Sequence, residues 1–198
     1  MDTVGFTRMQ DGTAEDFALL ERLEEQYTEA LADRLLAAVR ALEHSFGGYK
    51  VSRYEHSLQS ATRAKRDRRS EEYVVAALLH DIGDELAPYT HGEMVGAVLK
   101  PYVEPRIRWV IEHHGAFQQF HCAGDPGSDP DARERYRDHP WFDDCAEFCA
   151  RYDENCFDPA YDSLPIEEFE PMVRRVFSEP RYLGAGGDES GADPRSQE

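Results

Sequence analysis

An all-α, single-domain fold is what this chain predicts, on three observations. Apolar residues recur at three- and four-residue steps along most of it. No stretch alternates apolar and polar residues as a half-buried strand would. The periodic stretches are separated by glycine, proline or clustered charge. A chain of 198 residues suits one domain and can bury roughly 70% of its unfolded surface, so disulfide staples are not required.

Over residues 14 to about 44 the stripe Phe17, Leu20, Leu23, Tyr27, Ala30, Leu31, Leu35, Ala38, Val39 and Leu42 makes one long helix, or two joined near residues 28–30. Phe46-Gly47-Gly48-Tyr49 interrupts it, because paired glycines weaken a helix and permit a turn. A helix over about 52–65 and a charged turn at 66–70 follow. Residues 71–81 are strongly apolar at Val74, Val75, Ala77, Leu78 and Leu79, with Gly83 placed to end that helix. Further helices are predicted over 91–103, 106–120, 141–153 and 165–177. The polar stretch 124–139 reads as a loop with one helical turn. Residues 1–182 are expected to form the domain, and 183–198 an acidic disordered tail.

Forty acidic against 22 basic residues give a net charge of −18, which repels phosphate backbones and anionic lipids. No nucleic-acid or membrane partner is therefore expected. No window approaches 18 uncharged apolar residues, and residues 1–16 lack a basic-then-apolar signal, so a cytoplasmic location is expected. Cys122, Cys145, Cys149 and Cys156 form no CxxC pair and read as buried or half-buried thiols in a reducing compartment.

The chemistry lies in histidines and aspartates at special places on these helices. His80-Asp81 closes the most apolar helix, where an imidazole and a carboxylate are costly to bury unless something offsets their desolvation. A metal ion wanting nitrogen and carboxylate donors would do so; an exposed helix terminus is the bland alternative. His56 lies on the preceding helix and His91 opens the following one. In His113-His114, helical spacing puts His114 on the inward stripe of Ile107, Val110, Ile111 and Phe117, and His113 beside Trp109 and Phe120. His114 is thus the candidate ligand, and His113 a candidate to support the metals or touch substrate. Asp153 follows in Arg151-Tyr152-Asp153-Glu154.

The order His56, His80-Asp81, His91, His114, Asp153 resembles the HD-domain superfamily of metal-dependent proteins over roughly residues 46–177. The run Glu55-His56-Ser57-Leu58-Gln59 after Gly47-Gly48 is most similar to the mixed-valent di-iron oxygenases that cleave organophosphonates, with myo-inositol oxygenase a more distant relative. The resemblance implies a helical bundle around two irons in an Fe(II)/Fe(III) state, with O2 as co-substrate. One iron would be held by His56, His80, Asp81 and Asp153, the other by His91, His114 and a bridging Asp81. It implies a small-molecule substrate, a 1-hydroxyalkylphosphonate of which 2-amino- and 2-trimethylammonio-ethyl compounds are examples, cleaved to phosphate and a carboxylate. The protein would be a monomer or a homodimer.

The chain departs from that family at four positions. Phe46 and Tyr49 stand where the family has tyrosine and glutamate, so an iron-guarding tyrosine would have to act from Tyr49. Gln118 replaces a phosphonate-gripping lysine, and Ala150 an arginine. The grip would then fall to His113, Gln118, Arg133, Arg137 or Arg151, while Tyr49, Tyr54, Trp109, Phe117, Phe120 and Tyr152 could cage a quaternary ammonium. The rival readings are an HD-type phosphohydrolase acting on a small phosphomonoester or nucleotide, and a degenerate HD module that only binds.

Overall fold

The most apolar stretch of the sequence becomes the axis of the molecule. In the computed structural model, which describes residues 2–122 and 124–183, every side chain from Val74 to Leu79 is at most 1% exposed. A helix apolar on all sides has no solvent face, so it is stable only when wrapped by others. Those others are, in chain order, α1 (Ala14–Glu29), α2 (Leu31–Ala41) and α3 (Arg53–Arg66) before the central α4 (Glu71–Leu79). After it come α5 (His91–Leu99), α6 (Pro105–Gln118), α7 (Phe142–Phe148) and α8 (Glu170–Val176). Among the described residues there is no strand, and short 3-10 turns fill several connections. The protein is an all-α helical bundle.

Local chemistry sets the helix starts. Ser52 accepts from the Glu55 backbone N–H at 3.1 Å, while the Glu55 carboxylate accepts from the Ser52 N–H at 2.9 Å, a reciprocal cap that fixes where α3 begins and hence where His56 falls. Thr13 and Asp16 do the same for α1.

Several boundaries differ from the sequence-based expectation, each for a physical reason. The stripe of α1 does not reach the core: none of its residues is buried, and Tyr27 is 66% exposed. The break at Ala30 lets α2 supply the packing face instead, through Leu35, Leu36 and Val39. Helix α4 ends at Leu79, before Gly83. Gly83 serves a close approach, since a Cβ there would stand 2.8 Å from the carbonyl oxygen of His91. Pro101 stops α5 earlier than the expected residue 103. The expected helix 141–153 is α7 followed by a π-helical turn, Cys149–Asp153, with the Glu154 N–H donating to the Cys149 carbonyl at 2.9 Å. Cys145, Cys149 and Cys156 are buried free thiols; Cys122, against expectation, is exposed. The expected tail from 183 onward lies, apart from Leu183, outside the described residues.

Helix α5 lies unusually close to α6. A Cβ on Gly92 would sit 2.8 Å from the backbone oxygens of both Ile111 and Glu112. That proximity brings the first residue of α5, His91, against α6.

Candidate metal centre

Four elements aim one polar side chain each, and α4 a pair, at a single point in the core. His56 comes from the first turn of α3, His80 and Asp81 from the end of α4, and His91 from the start of α5. His114 comes from α6 and Asp153 from the π-helical turn. His56, His80, His114 and Asp153 are fully buried, Asp81 is 2% exposed, and the His91 side chain keeps 20% exposure. The cluster therefore opens to solvent beside His91.

Hydrogen bonding fixes the orientation of three imidazoles, and a carboxylate faces the fourth. Nδ1 of His56 faces the Cys156 carbonyl at 3.1 Å, that of His80 the Ala77 carbonyl at 2.8 Å, and that of His114 the Ile111 carbonyl at 2.6 Å. His91 Nδ1 faces the Asp84 carboxylate at 3.4 Å. Each of these oxygens can only accept, so each Nδ1 carries a proton and each Nε2 presents a lone pair. Those lone pairs face one another: His56 and His80 Nε2 are 3.1 Å apart, and so are His91 and His114 Nε2. Two lone pairs at that distance repel unless a cation or proton lies between them.

Asp81 spans the two pairs. Its Oδ2 lies 3.2 Å from His56 Nε2 and 3.0 Å from His80 Nε2, while Oδ1 lies 3.6 Å from His114 Nε2 and 3.7 Å from His91 Nε2. Asp153 Oδ1 stands 3.4 Å from His56 Nε2 and accepts the Gln118 amide at 3.0 Å. Its Oδ2 is buried with no hydrogen-bond partner. A buried carboxylate oxygen left bare costs stability unless an ion completes it, so the residues present fit a metal. All donors are nitrogen or oxygen, a set suited to a divalent transition metal.

The electrostatics point the same way. Burial would raise both carboxyls, but His80 and Arg53 hold Asp81 well below the usual range, and His56 and His80 hold Asp153 down. Burial would lower His56, yet Asp153 and Asp81 outweigh it and raise the imidazole to about 9. A proton there is what two ionised carboxylates recruit when no metal lies between them. Its stabilising contribution to the metal-free fold is complete below His56's ordinary 6.5 and lost as pH rises through about 9. A metal must displace that proton, so apparent metal affinity should climb, by roughly tenfold per pH unit for one proton released, over that same window. Competition against a chromophoric chelator at several pH values measures this; an affinity flat across the window contradicts it.

The other sequence-predicted residues sit further out. Tyr49 stacks on Phe157 at 4.7 Å, and Phe157 on the His56 ring at 4.5 Å, so Tyr49 is one ring removed from the ligands. His113 turns to the Trp109 carbonyl at 2.9 Å and packs between Trp109 and Tyr136, outside the cluster. Arg151 faces Asp67 and Glu147 at the surface, and Arg133 and Arg137 pair with Glu134. Three residues at the site escaped the sequence reading: Phe157, Asp84 and Arg53. Arg53 is one turn before His56 and Asp84 three residues after Asp81, and that helical or turn spacing was the available signal.

Residues 53–140 match the HD domain model, a span that holds every candidate ligand except Asp153. The chain is also 32% identical over 95 residues to [1-hydroxy-2-(trimethylamino)ethyl]phosphonate dioxygenase (glycine-betaine-forming) of Leisingera caerulea. The alignment takes in 42% of this chain and 48% of that protein, so the chain spans about half the length of the relative it matches. Both findings agree with the resemblance drawn from the motif order.

Proposed function

Proceeding from the match of residues 53–140 to the HD domain model, we propose that this chain is an O2-dependent di-iron oxygenase that cleaves the carbon–phosphorus bond of a 1-hydroxyalkylphosphonate. The single observation that carries this reading is the facing of two histidine Nε2 pairs across the two oxygens of Asp81. That arrangement suits two ions that share one carboxylate. The dioxygenase relative supports the choice of reaction, and a substrate with a 2-amino or 2-trimethylammonio group is the natural first candidate.

In this reading His56, His80, Asp81 and Asp153 hold one iron, and His91, His114 and Asp81 the other. When bound, a mixed-valent Fe(II)/Fe(III) pair supplies a substrate-chelating site and an O2-activating site. The protein's work is orientation and exclusion. The backbone carbonyls behind His56, His80 and His114 lock the rings. Gln118 fixes Asp153 through its amide nitrogen, leaving the amide oxygen for substrate. Tyr49 and Phe157 wall one side of His56, where they limit access of water. His113 packs on Trp109, outside the ligand cluster, and has no part in holding the irons. The reaction balances as hydroxyphosphonate plus O2 giving carboxylate, hydrogen phosphate and one proton, with both oxygen atoms retained in products.

Measuring O2 uptake and phosphate release together tests the proposal. Iron-loaded protein with a 1-hydroxyalkylphosphonate should consume one O2 for each phosphate formed and stop when O2 is removed. Anaerobic phosphate release from phosphomonoesters, supported by Mn(II) and indifferent to O2, would replace the proposal with the hydrolase reading.

A further inference from the structure

Arg53 is a charged side chain the fold has buried at some cost, being only 8% exposed. Its Nη2 donates to Asp81 Oδ2 at 2.6 Å and to Asp84 Oδ2 at 2.8 Å, and its Nε donates to Asp84 Oδ2 at 3.2 Å. Nη1 makes no hydrogen bond among the described residues. Phe46 and Tyr49, 61% and 52% exposed, lie above the guanidinium with their ring centres 5.7 and 5.8 Å from its carbon. No other lysine or arginine among the described residues pairs with Asp81, Asp84 or Asp153.

We propose that Arg53 receives the anionic phosphonate oxygens of the substrate, and so decides which anion the site accepts. The inference rests on the phosphonate reading above and names the residue that grips the substrate. Two arguments carry it. The first is charge. Asp81 and Asp84 pair with the one guanidinium and Asp153 is the third carboxylate of the site; an Fe(II)/Fe(III) pair added to these groups leaves the pocket positive, and a doubly charged oxyanion is a ligand that offsets this. The second is geometry. A planar guanidinium offers parallel N–H donors that match two oxygens of one phosphonate. Asp84 anchors the Nε edge, so the free Nη1 and, once Asp81 is engaged by metal, Nη2 are the donors left for such a ligand.

The test is equilibrium binding of methylphosphonate and of inorganic phosphate to metal-loaded protein by calorimetry, alongside metal analysis and steady-state kinetics. Arg53→Gln should keep both metals, bind either anion roughly 10- to 100-fold more weakly, and raise KM far more than it changes kcat. Arg53→Lys, which keeps the charge but not the fork, should keep the metals and recover only part of that affinity. If Arg53→Gln loses metal because Asp81 is no longer held, Arg53→Lys alone decides. Full methylphosphonate affinity in a metal-replete variant overturns the assignment. The two readings fail separately. O2 uptake with hydroxyphosphonate in the parent, with unchanged KM in both variants, removes Arg53 and leaves the oxygenase. Arg53-dependent anion binding without O2 uptake removes the oxygenase and leaves the grip.

Discussion

On the proposed two-metal reading, Asp81→Ala should strip both metals from the protein, taking its metal content from two ions per chain to near none. No other substitution of one ligand is expected to do this, because among the described residues only Asp81 places oxygens within 4 Å of both histidine pairs. Losing it also deprives Arg53 of its 2.6 Å partner and leaves Asp153 as the sole carboxylate against His56. Metal analysis after dialysis checks the first consequence, and far-ultraviolet circular dichroism verifies that the variant remains folded. Asp84→Asn is the matched control. Asp84 only supports His91 and Arg53 from behind, so its loss should weaken metal binding by roughly 10- to 100-fold without abolishing it. An Asp81→Ala protein with two tightly held metals would refute the bridging assignment.

Gly92→Ala should do by packing what Asp81→Ala does by chemistry, but for one half of the site. The added methyl would meet two backbone oxygens of α6 at 2.8 Å, and backbone cannot move aside as a side-chain tip can. Helices α5 and α6 must separate, at a cost of about 1–3 kcal/mol for overpacking. The separation carries His91 away from His114, whose Nε2 atoms now face each other at 3.1 Å. Thermal unfolding should show the loss of stability, and metal analysis one ion per chain, with the His56–His80 half retained. A variant with unchanged stability and two metals would show that α5 and α6 approach less closely than described.

How much of this was legible in the sequence depends on how local each cause is. The inward face of His114 and the outward face of His113 follow from offsets to Ile107, Val110 and Ile111, because helical periodicity is local. His80-Asp81 stood out for the same reason, at the end of a helix with no polar side. The fate of α1 was not legible: its stripe has the period of a core helix, yet none of its residues is buried while α2 buries Ala32, Leu35, Leu36 and Val39, and only tertiary packing decides between them. The π-helical turn at Cys149–Asp153 has no signature in residue type, although it turns both Tyr152 and Asp153 into the core. Gly83 looked like a helix terminator because a lone glycine after an apolar run usually is one; its neighbour across space, His91, was invisible. Arg53 and Phe157 were missed because their partners, Asp81 and His56, lie far away in the chain.

The proposed two-iron centre is tested most directly by metal analysis combined with low-temperature electron paramagnetic resonance of the partly reduced protein. The account predicts two irons per chain and a signal from a coupled Fe(II)/Fe(III) pair that shifts when a hydroxyphosphonate is added without O2. One metal per chain, or two metals with no mixed-valence signal at any stage of reduction, would contradict it.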